Sequence, residues 1–131
     1  MQTKGGVIYY RSFGKGVPML IINGGPGMNS EGFTQLAIQL SKNNRTILFD
    51  QRGTGRSKFT VTDSSTITMQ LMAEDIENLR KKLNIDKWII LGHSFGGMMA
   101  SYYAIIPATY RENDIILIWW YRSRIAILCR G

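Results

Sequence analysis

Histidine and cysteine each occur once in this 131-residue chain, as His93 and Cys129. One cysteine excludes a disulfide framework and a cysteine-rich metal site within the monomer, and it fits a reducing compartment. Long apolar runs are missing as well. A membrane helix needs ~20 such residues, and IILIWW at 115–120 is far too short. The opening stretch, MQTKGGVIYYRSFGKG, has no apolar h-region, so no secretory signal is expected. Internal repeats and low-complexity tracts are absent. Together these absences point to one soluble, cytoplasmic domain with no membrane partner and no metal or other cofactor.

The balance of charge is basic, +7 overall, which raises nucleic acid or anionic lipid as partners. Residues 1–107 carry twelve Lys/Arg against seven Asp/Glu, and residues 108–131 carry four against two. Apart from Arg80-Lys81-Lys82 on a predicted helix, the positive charges are dispersed, and no basic stripe with interleaved aromatics occurs. A solvated helix face is the better reading, and no nucleic-acid partner is expected.

What is present is a pattern of short apolar strands alternating with helices. VIYYRSF (7–13) reads as a strand closed by Gly14-Lys15-Gly16. VPMLIIN (17–23), TILFD (46–50) and WIILG (88–92) are apolar runs suited to strands buried on both faces. Helical spacing appears at Phe33, Leu36, Ala37 and Leu40. It recurs from Met69 to Leu83, where Met69, Met72, Ile76, Leu79 and Leu83 form one stripe with charges opposite. A third helix is expected from Phe95 to Ile106, ended by Pro107. The alternation predicts an α/β domain with a mainly parallel sheet flanked by helices. In such sheets ligands bind beyond the carboxyl ends of the strands. The Gly-rich turns at 24–27, 53–55 and 92–97 all fall at such ends and are expected to converge on one rim.

Each turn has its chemistry. In Gly92-His93-Ser94-Phe95-Gly96 a serine occupies a sharp strand-to-helix turn, where glycine on both sides relieves crowding and lifts Oγ above the sheet edge. The N–H of Phe95, opening the next helix, would face a developing oxyanion. A second donor is expected from an earlier loop, Asn23-Gly24-Gly25-Pro26-Gly27, where glycines admit a substrate carbonyl and Pro26 stiffens the turn. Phosphate binding is the main rival for glycine-rich turns. Neither G-x-G-x-x-G nor a Walker loop occurs in the required setting.

N-G-G-P-G, F-D-Q-R-G-T-G-R-S and L-G-H-S-F-G-G, in that order after successive strands, resemble the α/β-hydrolase superfamily. More narrowly they resemble its proline iminopeptidase-like branch, over residues ~7 to 107. The resemblance implies that Ser94 is the nucleophile and that Phe95 and Gly25 are the oxyanion donors. It also implies that Gly92, Gly96, Gly24, Pro26 and Gly27 shape the elbow and loop. Asp50, Gln51, Arg52, Gly53, Gly55 and Ser57 match a second loop that braces the site, with Asp50 and Arg52 expected as an ion pair under the rim. The substrate class implied is an ester, thioester, amide or short peptide. Asn23 stands where the family usually has histidine, and the backbone N–H groups matter most there.

The base is the difficulty. In this superfamily the acid and the histidine follow the serine in chain order, yet no histidine follows Ser94. His93 adjoins the nucleophile and points elsewhere, so it reads as a packed bystander. Glu112 and Asp114 come too early to match the family's acid. The resemblance implies about twice this length, with a cap domain and a C-terminal half that are absent here. Trp119-Trp120-Tyr121 must be encoded TGG TGG TAY, so one shifted frame reads Gly-Gly across them. With permitted codons for 108–118, that frame reads P-Q-R-I-E-K-M-I-L-S-S-S-G-G, the family's continuation. Residues 1–107 are therefore expected to be a partial hydrolase core, the N-terminal half of the fold, and residues 108–131 an out-of-frame tail. The expected chain is inactive alone, with WIILG left as a sheet edge open to self-association. A functional basic interaction segment at 108–131, and one half of a split hydrolase, are the alternatives.

Overall fold

The computed structural model describes residues 1–106 together with the backbone of two strands at 115–121 and 124–130. In chain order the elements are β1 (Gln2–Thr3), β2 (Gly6–Val7), β3 (Tyr10–Phe13), β4 (Val17–Ile22), a 3-10 turn (Glu31–Phe33) leading into α1 (Thr34–Leu40), β5 (Asn44–Phe49), β6 (Lys58–Phe59), α2 (Met69–Lys82), β7 (Trp88–His93), α3 (Phe95–Ile105), β8 (Ile115–Tyr121) and β9 (Arg124–Arg130). The main sheet runs β3-β5-β4-β7-β8-β9. Its four central strands are parallel, while β3 and β9 lie antiparallel to their neighbours.

The alternation of side chains across β4 and β5 explains why both strands are apolar throughout. Leu20, Ile22, Ile47 and Phe49 face the larger core layer with Met72, Ile76 and Leu79 of α2 and Met99, Ala100 and Tyr103 of α3. Ile21 and Leu48 face the other way, onto Ala37 of α1. Covering both faces of a parallel sheet with helices removes from water a run that would otherwise be exposed on one side. A fully buried leucine or isoleucine contributes about 1.5–3 kcal/mol by this route. Among the described residues no helix is long and apolar enough to cross a membrane.

Several expectations are revised. The stretch 7–13 is two strands, not one. Val7 joins a small separate sheet of β1, β2 and β6, and Tyr10–Phe13 joins the main sheet. Ile8, fully buried between them, is held where its N–H bonds the Met1 carbonyl. The first helix begins as a 3-10 turn and becomes α-helical only at Thr34. On α2 the charges are not all opposite the apolar stripe, because Asp75 and Glu77 are each only 2% exposed. Asp75 receives Arg52. Glu77 receives Arg80 and the Tyr103 hydroxyl, the latter at 2.6 Å.

The expected edge is also revised. β7 pairs along its whole length with β8, from Trp88↔Ile115 to His93↔Trp120. β9 then closes back on β8, so β9 and not β7 is the outer strand on that side. A β-branched apolar run such as IILI favours a strand whatever its coding origin. Pro107, Glu112 and Asp114, on which the expected break in frame and the early carboxylates were read, lie outside the described residues.

Candidate active site

β4 and β7 are parallel neighbours in register, with Ile22 opposite Gly92. The loops that leave their carboxyl ends therefore start side by side. One begins at Asn23 and the other at the turn His93-Ser94. A Cβ placed on Gly24 would stand 3.0 Å from His93 Nδ1 and 3.4 Å from the Ser94 Cβ. Gly24 thus lies against the serine turn with room for little more than hydrogen.

The turn is strained. Ser94 has φ 53° and ψ −117°, a left-handed φ that a residue with a Cβ adopts only when its surroundings enforce it. Those surroundings are the glycines on either side. A Cβ on Gly92 would lie 2.7 Å from the Gly97 Cα, and one on Gly96 would overlap the carbonyl of Ile22. Close packing of α3 against β4 and β7 is what forces the chain round so sharply. The Ser94 carbonyl accepts the N–H of Gly97 at 2.9 Å and of Met98 at 3.3 Å, while its side chain makes no capping bond. Phe95 is the first residue of α3, where a backbone N–H has no intrahelical acceptor. A hydroxyl, a helix-terminal N–H and an adjoining glycine loop therefore share one rim.

Gly25, with φ 130°, makes the tightest part of the earlier loop, followed by Pro26 and by Gly27 at φ 85°. Asn23, 1% exposed, holds that loop closed. Its side-chain NH₂ donates to the carbonyls of Gly24 at 2.8 Å and Met28 at 2.9 Å. An amide NH₂ has two donors to give, whereas a neutral imidazole has one. Substituting asparagine for the usual histidine thus leaves the loop bridged at both ends.

The second loop braces the first through two buried side chains. The Gln51 amide donates to the Asn23 carbonyl at 3.1 Å. Asp50 accepts the N–H and hydroxyl of Ser30, at 2.8 and 2.6 Å, and the N–H of Arg56 at 2.9 Å. Burial alone would raise the Asp50 pKa. The donors on Arg56 and Ser30, helped by the charge of Arg11, outweigh it and hold the carboxyl below its ordinary value. Gly55 leaves the space that the Asp50 carboxylate occupies, and the Ser57 hydroxyl donates to the Asp50 carbonyl while accepting the Tyr9 N–H.

The expected Asp50–Arg52 pair is replaced by another. Arg52 turns away from Asp50 and meets Asp75 of α2 with two parallel bonds, at 2.7 and 2.8 Å. It also donates to the carbonyls of Thr66 and Lys4 and lies 4.5 Å over the Phe59 ring. Both charges are buried, and such pairs hold only when their remaining donors and acceptors are satisfied. Asp75 and Ser30 are the participants that sequence reasoning missed. Asp75 left a trace, since it sits three residues after Met72 and four before Leu79, so helical spacing puts it beside the apolar stripe. Ser30 left none.

His93 is the last residue of β7, directly before Ser94. It belongs to the alternate set on β7, half-buried like Ile89 and Leu91, and its ring packs on Phe33 with centroids 5.4 Å apart.

A family model described as the alpha/beta hydrolase fold matches residues 17–109. The chain belongs to the α/β-hydrolase family. Its relatives within this family include a proline iminopeptidase of Heyndrickxia coagulans, 33% identical over 109 residues, which make up 80% of this chain and 37% of that one. The crystal structure of a proline iminopeptidase-related protein from Thermus thermophilus superposes with a TM-score of 0.77 at 26% identity, covering 89% of this chain and 42% of that one. An esterase from Exiguobacterium antarcticum gives 0.76 at 29% identity, over 88% of this chain and 41% of that one. This chain thus spans well under half the length of the relatives it matches, and the strands and helices described above are the N-terminal half of their fold.

Proposed function

We propose that the chain carries the nucleophile and oxyanion hole of a serine hydrolase acting on esters, thioesters or amides, with release of N-terminal proline from short peptides as the specific case. The observation that carries this is the conformation of Ser94 between β7 and α3, with the Asn23–Gly27 loop in contact beside it. Identity to proline iminopeptidases over most of the chain supports the narrower substrate.

In this reading Ser94 Oγ attacks the substrate carbonyl carbon and gives its proton to a base. The carbonyl oxygen takes up negative charge and is held by the N–H groups of Phe95 and Gly25. Collapse of that intermediate expels the leaving amine or alcohol, which takes the proton from the base, and water then releases the acyl group from Ser94. No residue of this sequence supplies the base, because its one histidine is His93. The acid and base come from a further segment, whether joined to this one or a separate polypeptide. Without them turnover is expected to fall on the order of a million-fold, as when the base of a comparable serine hydrolase is removed.

Intact-mass detection of labelling by a serine-directed phosphonate tests the reading. Labelling is expected when a relative's C-terminal segment is added, and is expected to vanish in Ser94→Ala. Absence of labelling with and without that segment would overturn it. The family match ends at residue 109, close to the proposed change of frame after Pro107. The nucleotide sequence on both sides of that codon tests this second point. A downstream frame encoding a later Asp and His is expected, and its absence removes the proposal.

A further inference from the structure

We propose that a groove between the small sheet and the last turn of α2 binds a phosphate monoester whose organic part is apolar. Two periodicities build it. Gln2 and Lys58 each lie directly opposite Val7 in the antiparallel ladders of β1 with β2 and β2 with β6, so all three share one face of that sheet. Asn78, Lys81 and Lys82, at i, i+3 and i+4, share one face of α2. The two faces meet along a groove of about 810 Å³ lined by Met1, Gln2, Val7, Asn78, Lys81 and Lys82. Thr3 ties its two sides together. The Thr3 hydroxyl donates to Asp75 of α2 at 2.7 Å and accepts the Asn78 amide at 3.5 Å. The groove adjoins the end of α2 that leads into β7, whereas Ser94 follows the far end of β7. It is separate from the proposed catalytic rim.

The lining carries positive charge and no carboxylate. Of the basic run 80–82, Arg80 turns onto Glu77 and the carbonyls of Ile85 and Asp86. Lys81 makes a 3.9 Å contact with Glu77, whose oxygens are already taken by Arg80 and Tyr103. Lys58 and Lys82 are exposed and form no ion pair among the described residues. The carbonyls ending α2 favour nearby lysines, which accounts for Lys81 and Lys82 but not for Lys58 on another element. Three ammonium groups gathered with the amides of Gln2 and Asn78 make a concave site for an anion, and lysines suit phosphate oxygens as point charges. The floor is apolar, with Val7 37% exposed beside Met1. Ligand pockets run from roughly 300 to 1,000 Å³, so this groove takes more than a phosphate group. The organic part of the ester lies on Val7 and Met1.

Phenyl phosphate is the probe, titrated into the ¹⁵N-labelled full chain while NMR follows the Asn78 side-chain amide and the Val7 N–H. Saturable shifts at both are expected, with inorganic phosphate binding about threefold or more weaker for want of the ring, and phenol giving no shift. Lys58→Gln and Lys82→Gln are each expected to weaken phenyl phosphate about fivefold, the worth of roughly one close charge pair in water. Both positions are exposed, and an unchanged circular dichroism spectrum checks that each variant is folded. Lys15→Gln removes the same charge from an exposed turn elsewhere and is expected to change nothing. Ser94→Ala is likewise expected to change nothing, so the outcome stands apart from the phosphonate result. Absence of a saturable shift overturns the site. Equal losses in Lys15→Gln and Lys82→Gln also overturn it, by showing a general effect of net charge. Vesicles of phosphatidic acid in phosphatidylcholine identify the source of the phosphate. Cosedimentation of the parent that is lost in Lys58→Gln assigns it to a lipid headgroup, and binding of phenyl phosphate without cosedimentation assigns it to a soluble ester.

Discussion

At the scale of single residues, the site is held by groups that do no chemistry. Asp50 ties Ser30 to Arg56, and with them the two loops that flank Ser94. Because its folded pKa is depressed, the stability it contributes is complete above the unfolded value of about 4 and is lost as pH falls through the lower folded value. The urea midpoints of the parent and Asp50→Asn are therefore expected to differ by a constant amount near neutrality and to converge in acid. A gap that persists unchanged at low pH would rule out this assignment. The Arg52–Asp75 pair makes a contrasting prediction. Arg52→Met is expected to cost about 3–5 kcal/mol by stranding a buried carboxylate, whereas Arg52→Met with Asp75→Leu recovers most of it. Denaturant unfolding of the two variants distinguishes these outcomes. Gly96→Ala sets a Cβ against the Ile22 carbonyl and is expected to cost about 2–4 kcal/mol, read in the same assay.

At the scale of elements, α2 is the case where pattern and structure part company. Its N-terminus is capped by Thr68, whose hydroxyl accepts the Leu71 N–H at 3.2 Å. Thr68→Ala is expected to lower stability by about 1 kcal/mol and Thr68→Ser to restore it, measured by thermal unfolding. Its burial was not legible, because periodicity assigns a face by hydropathy and treats every carboxylate as solvent-facing. Asp75 and Glu77 are inside because partners distant in the chain, Arg52 and Tyr103, meet them there. The strands β4, β5 and β7 and the serine turn were readable for the opposite reason: continuous apolar runs ending in glycine carry both their burial and their turns locally. The break of residues 7–13 between two sheets was hidden, since it depends on β6 and Met1 and on no signal within the stretch. Asp50 and Arg52 were identified as braces from their place in the second loop, but their partners had to come from the fold.

At the scale of the whole molecule, the chain presents a six-stranded sheet whose outer strand on one side, β9, has a partner on one edge among the described strands. A long unpaired edge is a template for another strand. Concentration-dependent association is expected in sedimentation velocity, and a chain that stays monomeric across a wide concentration range contradicts it. The register of β4 with β7 carries a further consequence. Both halves of the proposed catalytic rim hang from the ends of neighbouring strands, so their relative position is set by a ladder that can shift only in whole steps. A slip of one residue would turn every side chain of the strand to the opposite face. A slip of two would carry Gly25 away from Ser94 by about 6.6 Å, twice the rise per residue. The alignment of the Ser94 hydroxyl with the proposed oxyanion donor is in that sense digital: it is inherited whole from strand pairing or not at all, and substitutions elsewhere in the sheet cannot detune it by small degrees.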